Sequence, residues 1–377
     1  MMKTDLTKYD ELIKAALNAK LTTEDNTYNH VINSKLYKDK LLVWLNEPAE
    51  TILNIELKNE VEQIIAPLLF PRFVVKFQPG LNIVERPNEP AESARALIYH
   101  LHYGRYSRLT VNNLTTDTYL FNSSAGLSIE LMKGYFWNPR KSPHMAIQAV
   151  TQSGKTSFLT FLLPNLMGFS KLAIKGGAVD DSARSLVVID PKIDPKLRSL
   201  SLKLKADYIC PSYNNSDLSF VDEVNNNLGK MMDLIKSRAE ILKKKPNAKF
   251  KDVWLIIDEG LAIPEMTNTK GRNVYFSLLD RLLLMSASTQ VHVILTGQAF
   301  NAGQIVSSFA RLQFSTRILM TPKVTVENAQ YLFKSLDKES INNLIVDEDK
   351  YGSLGVGIVT TGDGQIVPFK APFIRGI

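Results

Sequence analysis

Cysteine is almost absent from this chain of 377 residues, in which Cys210 is the only one. One cysteine cannot form an internal disulfide, and the five histidines are scattered, so neither a disulfide framework nor a zinc site of cysteine and histidine is supported. His100 and His102 could share one face of a strand, but two ligands do not complete a zinc site. We expect a protein suited to a reducing cytoplasm.

Long apolar runs are also lacking. No uninterrupted apolar run reaches about 18 residues, and the stretch Met1 to Asp10 contains no apolar signal core. We therefore expect no integral membrane segment and a cytoplasmic location. Recruitment to a membrane would require a partner protein.

Charge is moderate but unbalanced, with 45 Lys and Arg against 38 Asp and Glu, a formal net charge of +7. This balance favours a polyanionic partner such as DNA, although a mildly basic soluble protein would show it too. Basic residues crowd into two short stretches, each of which could also be a solvated face. The stretches contain Lys192, Lys196, Arg198, Lys203 and Lys205, and Lys243, Lys244, Lys245, Lys249 and Lys251.

The first part of the chain, residues 1–139, is predicted to form a small α+β domain of unknown role. Its apolar spacing predicts a helix over residues 4–19 and a second helix over residues 58–66 that ends at Pro67. Short strands are predicted over residues 41–45, 51–57 and 73–77. A turn-rich stretch near Pro139 would end this domain.

Residues 140–377 are predicted to form a second domain in which strands alternate with helices. The strands are expected over residues 145–150, 185–190, 253–258 and 291–296, and the longest helix over residues 224–245. Such alternation is typical of a parallel sheet with helices on both faces. The closing segment contains a hairpin signal, Thr361-Gly-Asp-Gly364.

The segment Ala149-Val-Thr-Gln-Ser-Gly-Lys-Thr156 resembles a phosphate-binding P-loop between a buried strand and a helix. In such a loop, backbone amides surround the phosphates, the lysine neutralises them and the next hydroxyl binds Mg²⁺. Ala149 replaces the usual first glycine and is tolerable if its φ is negative, and Gln152 stands where many loops have another glycine. The predicted nucleotide-binding residues are Thr151, Gln152, Ser153, Gly154, Lys155, Thr156 and Ser157.

Two adjacent acids, Asp258 and Glu259, follow the apolar strand Val253 to Ile257. At the carboxyl end of that strand Asp258 would hold Mg²⁺ together with Thr156, and Glu259 would act as general base on the attacking water. With the P-loop, these acids predict hydrolysis of ATP or GTP, and ATP with Mg²⁺ is our choice. Exposed acids at a strand end are the alternative interpretation.

Gln298 follows the next predicted strand, residues 291–296. Its amide could contact both the γ-phosphate and the attacking water, so it is predicted to be a catalytic sensor. A loop glutamine that faces solvent is the alternative.

These motifs together resemble the FtsK/SpoIIIE family of hexameric DNA-pumping ATPases over about Lys141 to Ile374. The segments that carry the resemblance are Ser142-Pro-His-Met-Ala-Ile-Gln-Ala-Val-Thr-Gln-Ser-Gly-Lys-Thr156, Leu186-Val-Val-Ile-Asp-Pro-Lys192, Met231-Met-Asp-Leu-Ile-Lys-Ser-Arg238, Leu295-Thr-Gly-Gln298 and Phe314-Ser-Thr-Arg-Ile318.

The resemblance implies a RecA-like P-loop domain, a ring that is a hexamer and a DNA substrate whose strandedness the sequence leaves open. It also implies that Arg317 acts as an arginine finger on the nucleotide of a neighbouring subunit, with Arg281 as a weaker candidate. Either arginine could instead be an ordinary surface or strand-end residue. The apparent absence of membrane spans and of a C-terminal winged helix favours motors of plasmids and integrative elements, with a membrane-bound protein or a relaxase as partner.

An ATP-driven DNA translocase in conjugative transfer or DNA partitioning is therefore the leading hypothesis. A protein-export ATPase of a specialised secretion system is a second hypothesis, although those chains usually carry several ATPase modules. A nucleotide-switched scaffold with weak hydrolysis is a third, because Ala149 and Gln152 depart from the usual loop.

Overall fold

A small antiparallel sheet with covering helices forms the N-terminal part of this computed structural model. The structure describes residues 2–21, 32–46, 53–90, 93–114, 116–212, 217–300, 306–336, 338–347 and 349–375. The N-terminal elements are α1 (Met2–Leu21), β1 (Ile32–Leu36), β2 (Lys40–Leu45), α2 (Ile55–Leu69), β3 (Phe73–Val75), β4 (Ile83–Glu85) and β5 (Arg95–Tyr103). Strand β5 is central, with β2, β3 and β4 as antiparallel neighbours. Ile13 and Leu17 of α1 and Val61 and Ile65 of α2 are fully buried against this sheet.

The strand predicted over residues 51–57 is wrong, since α2 already begins at Ile55. Asn54 caps this helix, because its side chain accepts the N–H of Leu57 at 2.8 Å. Glu56 in the first turn adds a favourable charge at the positive end of the helix dipole. Local capping therefore decides in favour of a helix here, despite the apolar run. Residues 51–52 of the predicted strand lie outside the described residues.

Pro67 does not end α2, which continues to Leu69. The proline lies in the last turn, where its missing N–H removes only one bond of the helix. The N–H of Phe70 still donates to the carbonyl of Ala66 at 3.3 Å and closes the turn.

A set of short strands connects this sheet to the rest of the chain: β6 (Thr110–Val111), β7 (Leu120–Ser123), β8 (Gly126–Met132) and β9 (Tyr135–Trp137). Strands β7, β8 and β9 form an antiparallel sheet whose Ile129, Leu131 and Trp137 are fully buried in the core of the following region. Strand β6 pairs with β18 (Phe373–Ile374) near the end of the chain. Contacts thus cross residue 139 at several places, and the division into residues 1–139 and 140–377 stays a prediction.

A mostly parallel sheet with helices on both faces forms the larger part of the structure and confirms the predicted fold. Its strands in spatial order are β12 (Asp207–Ile209), β11 (Leu186–Ile189), β13 (Val253–Ile257), β14 (Val291–Gly297), β10 (Met145–Ala149), β15 (Thr316–Met320), β16 (Val356–Thr361) and β17 (Val367–Lys370). The first six run parallel, whereas β16 is antiparallel to both of its neighbours, β15 and β17, and forms the predicted hairpin with β17.

The helices of this region cover both faces of the sheet. They are α3 (Lys155–Lys175), α4 (Pro195–Lys203), α5 (Asp217–Lys244), α6 (Ala262–Glu265), α7 (Thr269–Met285), the 3₁₀ turn Ala287–Thr289, α8 (Ser308–Arg311), α9 (Val326–Ala329) and α10 (Lys338–Asn343). Strand β13 shows why the sheet must be covered twice, because Leu255 packs into the core on the α5 side and Trp254 and Ile256 into the core on the α3 side. A strand buried on both faces is apolar at every position.

Among the described residues, α3 is the one helix long and apolar enough to cross a membrane by length and composition. Most of its apolar window is buried inside the protein, where Phe158, Phe161 and Leu162 pack against the sheet.

His144 precedes β10 and is fully buried. Its Nδ1 accepts the N–H of Val293 at 3.1 Å, and its Nε2 lies 3.3 Å from the hydroxyl of Ser286. Burial, and then the charge of His292, lower the pKa of His144 from 6.5 to about 3. At a pH between these two pKa values, His144 binds a proton in the unfolded chain but not in the folded chain. The free energy of unfolding therefore falls as the pH falls through this range.

We therefore expect the free energy of unfolding to decrease by about 2 kcal/mol between pH 7 and pH 5 because of His144 alone. In His144→Asn, whose side-chain oxygen can replace Nδ1 as acceptor, this part of the pH dependence should disappear. Urea unfolding of both proteins at each pH measures the difference. Equal pH dependence in the two proteins would contradict the assignment.

Candidate functional site: a P-loop beside two buried acids

The predicted P-loop lies at the carboxyl edge of the parallel sheet, between β10 and α3. A cavity of about 370 Å³ opens above it. Its lining contains Thr151, Gln152, Gly154, Lys155, Thr156 and Ser157, together with Asp258, Glu259 and Gln298. Ser153 is buried beneath the loop, where its carbonyl accepts the N–H of Gly355 at 2.8 Å. The structure thus brings together most of the residues predicted for nucleotide binding.

The two departures from the usual loop have different structural consequences. Ala149 is the last residue of β10, with an extended backbone and a buried side chain, so the position does not require glycine. Gln152, by contrast, has φ +64°, in the left-handed region that disfavours a residue with a Cβ. Gly154 has φ +92° and is the N-cap of α3, a conformation that glycine adopts without strain.

The conformation of Gln152 gives a stability prediction. Gln152→Gly should raise the free energy of unfolding by roughly 0.5–1 kcal/mol, because relief of the left-handed strain exceeds the extra entropy of glycine in the unfolded chain. The side chain is exposed, so few contacts are lost. Urea unfolding measures the change, and Gln152→Ala is the matched control that keeps the Cβ. Equal effects of glycine and alanine would contradict the strain.

Asp258 and Glu259 lie together at the end of β13, and both side chains are buried. Lys155 Nζ lies 2.8 Å from Asp258 Oδ1 and 2.5 Å from Glu259 Oε1. Burial alone lowers the pKa of Lys155, but the charges and hydrogen bonds of the two carboxylates outweigh it and raise that pKa overall. The lysine is therefore cationic and compensates two buried negative charges.

Thr296, on the neighbouring strand β14, fixes the relative position of the two acids. Its hydroxyl donates to Asp258 Oδ1 at 2.6 Å and accepts the N–H of Glu259 at 3.1 Å. Glu259 itself has φ +47°, a strained conformation that this network holds. Sequence reasoning did not assign Thr296 a role, although it stands two residues before Gln298.

Oxygen atoms suited to Mg²⁺ surround the first turn of α3. The hydroxyl of Thr156 lies 3.4 Å from Asp194 Oδ2, and the Asp258 carboxylate lines the same cavity. Hydroxyl and carboxylate oxygens are the ligands that this hard cation prefers, so Thr156 and Asp258 fit the predicted role. No group of three or more histidine, cysteine or acidic side chains forms a metal site among the residues that the structure describes.

Lys192 and Asp194 are two site residues that the sequence analysis missed. Both follow β11, and both line the same cavity as the P-loop residues. The exposed Lys192 lies 3.4 Å from Glu259 Oε2. Asp194 caps α4 by accepting the N–H groups of Lys196 and Leu197. The sequence signal that could have located them is Asp190-Pro-Lys192, which directly follows β11, a strand of the same sheet.

Gln298 is exposed on the loop after β14 and lines the cavity. The predicted position is consistent with a sensor, and its catalytic role stays a prediction.

Arg317 is not brought to this cavity within one chain. It lies in β15 opposite Ala146 of β10, near the edge of the sheet away from the P-loop. Its Nε donates to the carbonyl of Phe314 at 2.6 Å and its Nη1 to that of Leu332 at 2.9 Å. Burial, and then the charge of Arg311, lower its pKa. The role of Arg317 at a neighbouring subunit, like that of the exposed Arg281 on α7, stays a prediction.

Comparison with known proteins supports the fold and the family resemblance. No family model matches the chain. The FtsK domain-containing protein YdcQ of Bacillus subtilis strain 168 is 23% identical over 269 residues, which cover 65% of this chain and 46% of that protein. The chain therefore spans less than half the length of this relative.

Among solved structures, the pCW3 conjugation coupling protein TcpA, a monomer form with ATPγS, is 14% identical with a TM-score of 0.50. The match covers 97% of this chain and 95% of that one. The cytoplasmic domain of EssC is 15% identical with a TM-score of 0.45, covering 89% and 56% of the two chains. The likenesses to YdcQ and TcpA confirm the predicted resemblance to FtsK/SpoIIIE-type ATPases and the P-loop ATPase fold.

Proposed function

We propose that this protein is an ATP-driven translocase that pumps DNA in conjugative transfer of a plasmid or integrative element, or in DNA partitioning. One observation carries the ATPase part: the P-loop lysine lies within hydrogen-bond distance of two buried acids at the adjacent strand end. A lysine and two acids in this arrangement suit hydrolysis of a nucleoside triphosphate. The likeness to YdcQ, an FtsK domain-containing protein, supports the translocase part.

The first step is a change of partner by Lys155. When a triphosphate enters the cavity, Lys155 Nζ donates to its terminal phosphate oxygens, and the backbone N–H groups of the loop and of the first turn of α3 surround the phosphates. Glu259 then loses one of its cationic partners. The carboxylate becomes free to accept a hydrogen bond from a water molecule.

The hydrolytic step follows from the position of Glu259. Its carboxylate takes a proton from water as the water oxygen bonds to the γ-phosphorus and the bond to the β-phosphate oxygen breaks, leaving ADP and phosphate. Mg²⁺, held by Thr156 and Asp258, would neutralise charge on the β- and γ-phosphates. Thr296 keeps Asp258 and the backbone of Glu259 in place. Gln298, on the loop after β14, orients the water molecule.

DNA is the proposed load because exposed basic side chains lie on a helix beside the nucleotide cavity. Lys196, Arg198 and Lys203 project from α4, the helix that Asp194 caps beside the nucleotide cavity. Contacts of this kind bind phosphates with little sequence preference. The second basic stretch, residues 243–251, carries less exposed positive charge than its sequence suggests, because Lys251 is buried and paired with Asp180 at 2.5 Å.

The proposed assembly is a ring of identical subunits, a hexamer, in which Arg317 of one subunit approaches the nucleotide of the next. Exposed apolar side chains on α7, on α8 and directly after α8 are available for contacts between subunits; they are Leu284, Met285, Phe309 and Leu312. A cytoplasmic location and recruitment by a membrane-bound protein or a relaxase complete the proposal.

ATP hydrolysis measured with and without DNA tests this proposal. We expect turnover to rise when single- or double-stranded DNA is added. This stimulation should become weaker with increasing salt, because salt weakens contacts with phosphates. Turnover that neither form of DNA changes would refute the DNA motor and favour protein export. Turnover no higher than that of Lys155→Ala would instead indicate a nucleotide-switched scaffold.

A further inference from the structure

A second cavity of about 160 Å³ adjoins the nucleotide cavity. Gly154, Ser157 and Leu354 line both cavities, so the two form one continuous cleft. The remaining wall of the second cavity comes from distant parts of the chain; it contains Arg108, Tyr351, Gly355, Ala371, Pro372, Phe373 and Ile374.

The segment that carries Tyr351 and Leu354 lies directly on the P-loop. The N–H of Gly355 donates to the carbonyl of Ser153 at 2.8 Å, and a Cβ on Gly154 would lie 3.3 Å from Gly355 N. Gly355 has φ +72°, and a Cβ there would lie 2.9 Å from the Cβ of Ala371. Glycine at position 154 therefore allows the wall to approach the loop closely, and glycine at position 355 allows the wall to pack against Ala371.

Arg108, in the N-terminal part of the chain, stabilises this wall through hydrogen bonds. The buried guanidinium donates from Nε to Asp349 at 2.7 Å, from Nη1 to the carbonyl of Ala371 at 2.9 Å and from Nη2 to that of Gly352 at 3.4 Å. These acceptors engage all three nitrogens, and the carboxylate of Asp349 balances the charge. Arg108 therefore positions the wall and is not itself arranged to bind a phosphate.

The exposed side of the wall is mainly aromatic and apolar, with Lys350 Nζ 5.0 Å from the centroid of the Tyr351 ring. The rings of Tyr351 and Phe373 stack with centroids 4.0 Å apart and an interplanar angle of 15°, and both side chains are only partly buried. Leu354 beside them is 53% exposed, a large share for a leucine in a cleft. Such a surface suits a flat, uncharged ring, because nucleobases stack on aromatic side chains.

The direction of a bound triphosphate leads into this cavity. In the proposed binding mode the terminal phosphate lies at Lys155, so the other phosphates would extend along the cavity residues of the first turn of α3 towards Ser157. Ser157 lines the boundary between the two cavities. We propose that the second cavity is the nucleoside subsite, in which the base stacks on the pair Tyr351 and Phe373.

This inference rests on the proposed nucleotide site and extends it across the chain. Phe373 belongs to β18, which pairs with β6 at Thr110, two residues after Arg108. The nucleoside would therefore bind where N-terminal and C-terminal segments meet. Its occupancy would connect the ATPase site physically to the N-terminal part of the protein.

Calorimetric titration with ATPγS and with tripolyphosphate, which lacks a nucleoside, tests the subsite. We expect the Kd for ATPγS to rise about tenfold in Tyr351→Ala, in Phe373→Ala or in both, which is the effect of losing one stacked ring. The Kd for tripolyphosphate should change less than about twofold. Tyr351→Phe keeps the ring and should bind ATPγS like the wild type.

Phe121→Ala is the matched control, because it removes one ring of another exposed aromatic pair, Phe121 and Phe136 on β7 and β9, away from the cleft. It should leave both Kd values unchanged. Unaltered ATPγS binding in both alanine variants, or an equal loss of both ligands, would overturn the subsite. Wild-type protein that binds ATPγS no tighter than tripolyphosphate would overturn the subsite alone, whereas wild type that binds neither would overturn the nucleotide site as well.

Discussion

Glu259→Gln should lower ATP turnover by about 10²- to 10⁴-fold while ATP binding is retained, because the amide cannot accept the proton of the attacking water. Glu259 is buried next to Lys155, and the effect is large because the proposed mechanism places the terminal phosphate at this lysine, beside the carboxylate. Glutamine keeps the size of the side chain, and its backbone N–H can still donate to the hydroxyl of Thr296. Steady-state phosphate release measures turnover, and calorimetric titration with ATPγS measures binding.

Lys192→Ala is the control for Glu259→Gln, because it removes the more distant, exposed cation that lies 3.4 Å from the same carboxylate. We expect a reduction far smaller than that of Glu259→Gln. A Glu259→Gln protein that retains more than about a tenth of wild-type turnover would contradict the general-base role.

Arg317→Ala should lower turnover by about 10³- to 10⁵-fold if Arg317 stabilises transition-state charge in a neighbouring subunit. Its guanidinium would have to exchange the carbonyls of Phe314 and Leu332 for the phosphates of that subunit. The alternative is that Arg317 only ties β15 to the segment after α9. In that case Arg317→Ala would lower the free energy of unfolding and leave the turnover of the folded protein close to wild type.

Mixing two inactive variants separates these roles. Lys155→Ala lacks its own nucleotide-binding lysine but keeps Arg317, whereas Arg317→Ala has an intact cavity. In mixed rings, Lys155→Ala subunits would supply the arginine to Arg317→Ala neighbours, so turnover should recover above that of either variant alone. No recovery in oligomers shown to contain both subunits would contradict an arginine finger at Arg317.

Sequence periodicity predicted the parallel sheet well because its strands are buried on both faces. The strands predicted over residues 253–258 and 145–150 each extend only one residue beyond β13 and β10. Each such strand is an apolar run bounded by polar loops, which is a strong signal. The wrong strand over residues 51–57 arose where a local cap at Asn54 decided the structure instead.

The candidate site was predictable only in part, because motif spacing reports neighbours along the chain. Lys155, Thr156 and the acids after β13 could be placed together, since carboxyl ends of parallel strands share one edge of the sheet. Thr296 was missed because a hydroxyl bonded to a carboxylate leaves no spacing pattern. Arg108 and Phe373 reach the P-loop through long-range contacts between the two ends of the chain, which no local pattern encodes.

The most direct test of the account is ATP turnover of the wild type and of Lys155→Ala, each measured with and without DNA. The account predicts wild-type turnover that DNA increases, and a Lys155→Ala protein without turnover above background under either condition. Equal turnover in the two proteins would contradict the assignment of the cleft between Lys155 and Glu259 as the site of ATP hydrolysis.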